Sequence, residues 1–245
     1  MINSLYDNYK HWSDKGSVYL ISDPHFNDPN SFAINPNWLS ADVYVNILNK
    51  MIHKNDTLIC LGDCGDINYF KQLKAGYKIL IKGNHDDKGN AFYQRKEEVL
   101  QFNKFDFNQK ELREHLKQEY PNHKITITDG QHFDWQYNGD WIAFIDNMLF
   151  DEVYDGPIFI SDQILLSHEP INGLQFCCNI HGHCHNYHYD YTDNLGGRHL
   201  NIAADVIQWQ PLDLNRLIKA GITSKLPTIH RLVIDRASEN PIHKN

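Results

Sequence analysis

Thr57-Leu58-Ile59-Cys60-Leu61-Gly62-Asp63 is an apolar run that stops on a glycine and a carboxylate, which reads as a buried strand opening into a turn. Upstream, Val18-Tyr19-Leu20-Ile21-Ser22 ends in Asp23-Pro24-His25 and has the same form. Downstream, Lys78-Ile79-Leu80-Ile81 stops at Gly83-Asn84-His85-Asp86. Between the first two runs, Val43, Ile47 and Met51, and beside them Tyr44, Leu48 and Ile52, recur four residues apart. An amphipathic helix is therefore expected, capped by Ser40 and running to about Lys54. A shorter helical stretch is expected around Tyr69 to Lys74. This β-α-β-α-β rhythm predicts a parallel sheet, with ligands bound off the carboxyl ends of its strands.

Farther along, residues 87–120 are charged and free of proline. Phe92, Val99, Leu100, Leu112 and Leu116 suggest a long or broken helical segment there. After Pro121, the stretches Ile125–Thr128, Phe133–Tyr137 and Trp141–Ile145 read as strands separated by Asp-Gly and Asn-Gly turns. The chain is expected to be a single domain over 1–245, with a helical and hairpin insertion at about 88–157. Beyond Pro157, Ile158-Phe159-Ile160 and Ile164-Leu165-Leu166-Ser167 form an expected hairpin whose second arm runs into His168. Cys178-Asn179-Ile180-His181 then delivers Gly182-His183-Cys184-His185, and His199–Ala204 and Arg231–Ile234 are further strands.

The 245 residues suffice for one substantial α/β core. Hydrophobic residues at 41% and charged residues at 22%, without a long apolar run, describe a globular chain with no membrane span. The first residues lack a basic segment followed by an apolar one, so a cytoplasmic location is expected. Five cysteines, odd in number and without a C-x-x-C pair, read as reduced thiols. A net charge of −8 opposes sequence-independent attraction to a nucleic-acid backbone. The 15 histidines matter through their placement.

Collected in order, the strand-end segments are Asp23-x-His25, Gly62-Asp63-x-x-Asp66, Gly83-Asn84-His85-Asp86, His168 and Gly182-His183-x-His185. On an extended chain, a D-x-H or H-x-H pair would point both side chains to one side and let them reach one ion. The glycines before three of the segments permit tight turns and close backbone approach.

These five segments, in this order, resemble the signature blocks of the calcineurin-like metallophosphoesterase superfamily. The resemblance implies a two-sheet β-sandwich flanked by helices, a four-layer αββα arrangement, with metals at one edge. It implies that Asp23, His25, Asp63 and His185 bind one divalent ion and that Asp63 bridges to a second, completed by Asn84, His168 and His183. His85 would then protonate the leaving oxygen, and Asp66 would hydrogen-bond His85. Imidazole, carboxylate and carboxamide donors suit Mn, Fe, Zn or Ni, and the resemblance makes Mn the first choice. The implied activity is hydrolysis of a small phosphomonoester or phosphodiester by a metal-activated hydroxide.

Asp66 is followed by Ile67-Asn68, and Asn84-His85 by Asp86, which departs from the serine/threonine protein phosphatases. The chain is more similar to small bacterial and phage-type phosphoesterases, and the stretch from Asn201 to Pro211, including Asp205, has their look. Three other readings compete. A nuclease for short DNA or RNA could use Lys82, Lys88, Arg95 and Lys96. A non-catalytic scaffold would have lost a ligand or the extra histidine, and none is missing. A structural zinc site within 181–188 would leave Asp23, Asp63 and Asn84 unexplained.

Overall fold

The computed structural model describes residues 1–86, 97–120, 123–132, 137–146 and 149–227. The helical position Phe92, the strand at Arg231–Ile234, most of the strand at 133–137, and the cations Lys88, Arg95 and Lys96 lie outside the described residues. The chain divides into two compact units, Met1–Asp86 with Phe150–Asn245, and Asp87–Leu149. No helix among the described residues is long and apolar enough to cross a membrane.

In the first unit, β1 (Val18–Ile21), β2 (Thr57–Cys60) and β3 (Tyr77–Ile81) are parallel neighbours. Ile21 lies opposite Cys60, and Cys60 opposite Leu80, so their carboxyl ends are level. β7 (Glu152–Tyr154) continues the sheet beside β3, and β13 (Leu212–Asp213) closes it antiparallel to β1. A second sheet takes β8 (Ile158–Ser161), β9 (Ile164–Leu166), β10 (Cys178–His181), β11 (Asp190–Thr192) and β12 (Arg198–Asn201) in the order β11-β12-β10-β9-β8. The expected β8–β9 hairpin forms, and β9, β10 and β12 run parallel.

Leu20, Ile59, Ile79 and Ile81 of the first sheet share one buried cluster with Ile160, Ile164, Ile180 and Leu200 of the second. The sheets are thus packed face to face, as in a sandwich. Alternation along β2 explains why its run is apolar throughout. Ile59 and Leu61 enter that cluster, while Leu58 and Cys60 are equally buried on the opposite face.

Helix α1 is one turn, Ser31–Ile34, and α2 spans Ala41–Met51. Ser40 occupies the cap position of α2 without a side-chain cap bond, and the helix stops before Lys54 because Ile52 is already extended. Asp56 fixes that stop by accepting the N–H groups of His53 and Ser17. The short helical stretch expected at 69–74 is a 3-10 helix at Ile67–Gln72, capped by Asp66. Helix α4 (Leu214–Lys219) follows β13.

In the second unit, β4 (Glu97–Asn103), β5 (Lys124–Asp129) and β6 (Asp140–Asp146) form an antiparallel sheet in the order β4-β6-β5. Helix α3 (Gln109–Glu119) adds Leu112 and Leu116 to a cluster with Ile125, Ile127, Ala143 and Ile145. Its start is a capping box between Asn108 and Glu111. Val99 and Leu100 were expected to be helical and are instead in β4. Leu100 packs on the cluster while Val99 is 52% exposed, the alternation of a strand, which two adjacent apolar residues cannot distinguish from a helix turn.

Ile180 is fully buried at the centre of the second sheet. Ile180→Ala should lower unfolding free energy by about 2–5 kcal/mol, read from the urea midpoint at unchanged slope.

Candidate metal centre

The loops after β1, β2, β3, β9, β10 and β12 meet at one edge of the sandwich. A parallel bridge between Ser22 and Ala203 ties β1 to β12 there. The N–H groups of Asp23 and His25 donate to Gly62 and Asp63 carbonyls. The N–H of His183 donates to Asp23 Oδ2 at 2.9 Å. Each sheet therefore holds part of the other's loops.

Two groups of side chains converge in this edge: Asp23, His25 and His185, and Asp63, His168 and His183. Within each, the donor atoms lie within 4.8 Å of one another, close enough to hold a metal ion. Asp63 of the second group also approaches the first. Asp63 Oδ2 is 3.3 Å from His168 Nε2 and 3.8 Å from His25 Nε2, so one oxygen lies between the two. Asn84 Oδ1 faces His168 Nε2 at 2.8 Å and His183 Nδ1 at 3.1 Å. Asp23 Oδ1 is buried without a hydrogen-bond partner among the described residues and lies 3.7 Å from His185 Nε2. An orphaned anionic oxygen among imidazoles fits a bound cation.

The D-x-H and H-x-H pairs do not meet by strand alternation, as the spacing suggested. Asp23, His25, Asp63 and His183 have φ of 53°, 39°, 53° and 65°. They sit in left-handed turns just past the strands, a conformation that costs a non-glycine residue free energy and is concentrated at functional sites. Close packing explains the glycines. A Cβ on Gly182 would lie 2.0 Å from Asp23 Oδ2, and one on Gly83 would lie 2.2 Å from Asp63 Oδ1.

The ring nitrogen that each of three histidines turns away from the centre has its own partner. His25 Nδ1 meets Asp28 Oδ2 at 3.1 Å, His168 Nδ1 meets the Leu61 carbonyl at 2.7 Å, and His185 Nδ1 meets Asp205 Oδ1 at 2.8 Å. Such partners fix ring orientation and leave Nε2 for the site. Trp38 packs against the rings of His25 and His185, at 5.8 and 5.6 Å between centroids. Asp28 and Trp38 carry no signal in sequence; Asp205 stood out only within the Asn201–Pro211 stretch.

Asp86 is a brace. Its buried carboxylate accepts the N–H groups of Gly83, Asp63 and Cys64 at 2.7, 3.1 and 3.0 Å. His85 lies exposed at the rim, its backbone N–H donating to Asp63 Oδ1 and its ring 5.9 Å from that of His25. The expected Asp66–His85 hydrogen bond is not formed: the Asp66 carboxylate accepts instead from the backbone and side chain of Asn68, its role as the cap of the 3-10 helix. Lys82, one of the cations weighed for nucleic acid, pairs with Asp155 at 2.6 Å.

The electrostatics are those of a site short of positive charge. Burial drives Asp23 up, against the pull of the His168 and His185 imidazoles. Burial would also raise Asp63, but the bond from His168 and the neighbouring imidazoles hold it below the usual carboxylate range. Burial alone would depress His168. The Asp63 and Asp23 carboxylates override it and hold His168 up to about 9. In the metal-free protein a proton supplies part of the charge that a cation would bring.

A family model described as calcineurin-like phosphoesterase matches residues 16–206, a span that includes both groups. The chain belongs to the calcineurin-like phosphoesterase family. A solved protein of unknown function from Aquifex aeolicus is similar at 20% identity over 83% of this chain and 98% of that one, with a TM-score of 0.45. No curated protein matches the chain.

Asp86→Ala should orphan three buried N–H groups at about 1–3 kcal/mol each and loosen divalent-metal binding by about 10–100-fold, read by urea unfolding and calorimetric titration. In metal-free protein, the raised folded pKa of His168 makes its stabilisation complete below pH 6.5 and lost as pH rises through about 9. Melting temperature should fall across that window, and His168→Asn should make the fall smaller, leaving the part due to His185, whose pKa its carboxylate neighbours also raise against the effect of burial.

Proposed function

We propose that this chain hydrolyses a small phosphoester with two divalent ions. Asp23, His25, Asp63 and His185 would hold one, and Asp63, Asn84, His168 and His183 the other, with Mn²⁺ the first choice. The observation that carries the reading is Asp63 Oδ2, placed between His25 Nε2 and His168 Nε2. One carboxylate oxygen facing imidazoles of both groups is the arrangement a shared ligand requires.

When bound, the ions would supply the positive charge that draws in a phosphoryl group and makes an attacking water more acidic. The protein's own contribution is placement and proton transfer. Asp28, Leu61 and Asp205 hold the imidazoles in position, so little reorganisation accompanies binding. Trp38, 6% exposed, limits water beside His25 and His185. His85 is the histidine of this edge left outside both groups, and we assign it to protonate the leaving oxygen. The hydrogen bond from its backbone N–H to Asp63 Oδ1 anchors the residue at the rim of the site.

Metal-stripped protein should turn over p-nitrophenyl phosphate or bis-p-nitrophenyl phosphate only after Mn²⁺ is added. Asp63→Ala should lose metal and activity together. His85→Ala should keep both ions and slow turnover by about 10²–10⁴-fold, most for poor leaving groups; full activity in that variant would remove His85 from the mechanism.

A further inference from the structure

A cavity of about 500 Å³ opens beside this edge, within the size range of small-molecule sites. Its lining includes Cys184, the residue between His183 and His185, and Pro170, two residues past His168. The cavity is thus lined from the same two loops that carry His168, His183 and His185, while none of the proposed ligands lines it. Tyr187 and Tyr191 supply its aromatic surface, and Asn172 and Asn194 contribute carboxamides.

The wall is pre-organised on one side. The Tyr191 hydroxyl meets His181 Nε2 at 3.0 Å, and its ring stacks on His199 at 4.8 Å with an interplanar angle of 8°. His199 is fixed in turn by Asp193 Oδ2 at 3.0 Å. Tyr187, by contrast, is 54% exposed; it stands at 89° to Tyr191 and at 61° to His188, with neither ring stacked flat on it. Among the described residues, neither the Asn172 nor the Asn194 carboxamide has a hydrogen-bond partner, so their donors and acceptors are available too.

Charge narrows the occupant. Neither lysine nor arginine is among the lining residues. The one acidic residue, Asp193, is already saturated by the N–H groups of Gly173, Leu195 and Gly197 together with His199. The cavity thus offers aromatic surface and neutral hydrogen-bonding groups, and nothing that would neutralise a further phosphate. That combination matches a flat, uncharged heterocycle with polar edges, and the absence of cations disfavours a polyanion continuing through it.

We propose that this cavity is a nucleobase subsite, with the base stacked on Tyr187 and its edge read by Asn172 and Asn194, so that the substrate is a nucleoside monophosphate. The identity of the substrate rests on the phosphoesterase reading above; the base site does not, because it uses none of the proposed metal ligands.

The test separates the two. Adenosine, guanosine, cytidine and uridine, which carry no phosphate, are titrated into the metal-free protein and followed by ligand-observed NMR. At least one should bind saturably. Tyr187→Ala should weaken it by about tenfold or more, the size of a lost base–aromatic stack, and Tyr187→Phe should bind within about twofold of wild type because the ring is kept. Saturable binding by none of the four, or binding indifferent to Tyr187→Ala in a variant that melts like wild type, would overturn the proposal. With Mn²⁺ added, kcat/KM should favour the matching nucleoside monophosphate over ribose 5-phosphate, and Tyr187→Ala should lower the first about tenfold more than the second. Equal losses on both would overturn the substrate assignment. Turnover of p-nitrophenyl phosphate, which has no nucleobase, decides the phosphoesterase reading separately.

Discussion

One carboxylate ties the turns of the candidate centre together. Asp86 follows the third strand of the parallel sheet, yet two of its three N–H donors, Asp63 and Cys64, follow the second. A carboxyl side chain at 4% exposure is tolerable there because those donors surround it. It thereby fixes the separation between the Asp63 turn and the Asn84 turn. Asp63 is held from the other side as well, since His85 donates to its Oδ1. The remaining oxygen is left to face the imidazoles of His25 and His168.

The second sheet completes what the first begins. His168, His183 and His185 follow its parallel strands, and the Ser22–Ala203 bridge brings that edge against the Asp23 turn. A fold of this kind collects polar side chains from distant parts of the sequence because parallel strands expose all their carboxyl ends on one side. The apolar cluster between the sheets keeps the two sets of loops opposite one another.

Much of this was legible in the chain itself. Apolar runs ending in Gly-Asp, Gly-Asn-His and Gly-His-x-His announce buried strands with chemistry at their ends, because few other contexts place such residues directly after a β-rich segment. What could not be read depends on contacts between distant residues. Asp28 and Asp205 orient histidines only once the loops are folded. Asp66 offered a plausible partner for His85 by position in a motif, but its nearest donors are local, from Asn68. The segment around Val99 and Leu100 failed for a different reason: its pairing with Phe144 and Ala143 supplies the strand, and no periodic signal over two residues reveals a partner more than forty positions away.

The left-handed backbone at Asp23, His25, Asp63 and His183 narrows how this loop system can evolve. Asp, Asn and His tolerate that conformation better than other residues bearing a side chain, and they also carry oxygen or nitrogen donors. Two demands therefore fall on one side chain at four positions. A glutamate carries the same donor group, but it is less tolerant of positive φ, so the backbone rejects it before coordination is tested. Saturation libraries at these positions should be read accordingly: asparagine at an aspartate alters donor charge while preserving the turn, whereas most other replacements disturb both at once. The sequence space open to the loops is smaller than coordination chemistry alone would permit.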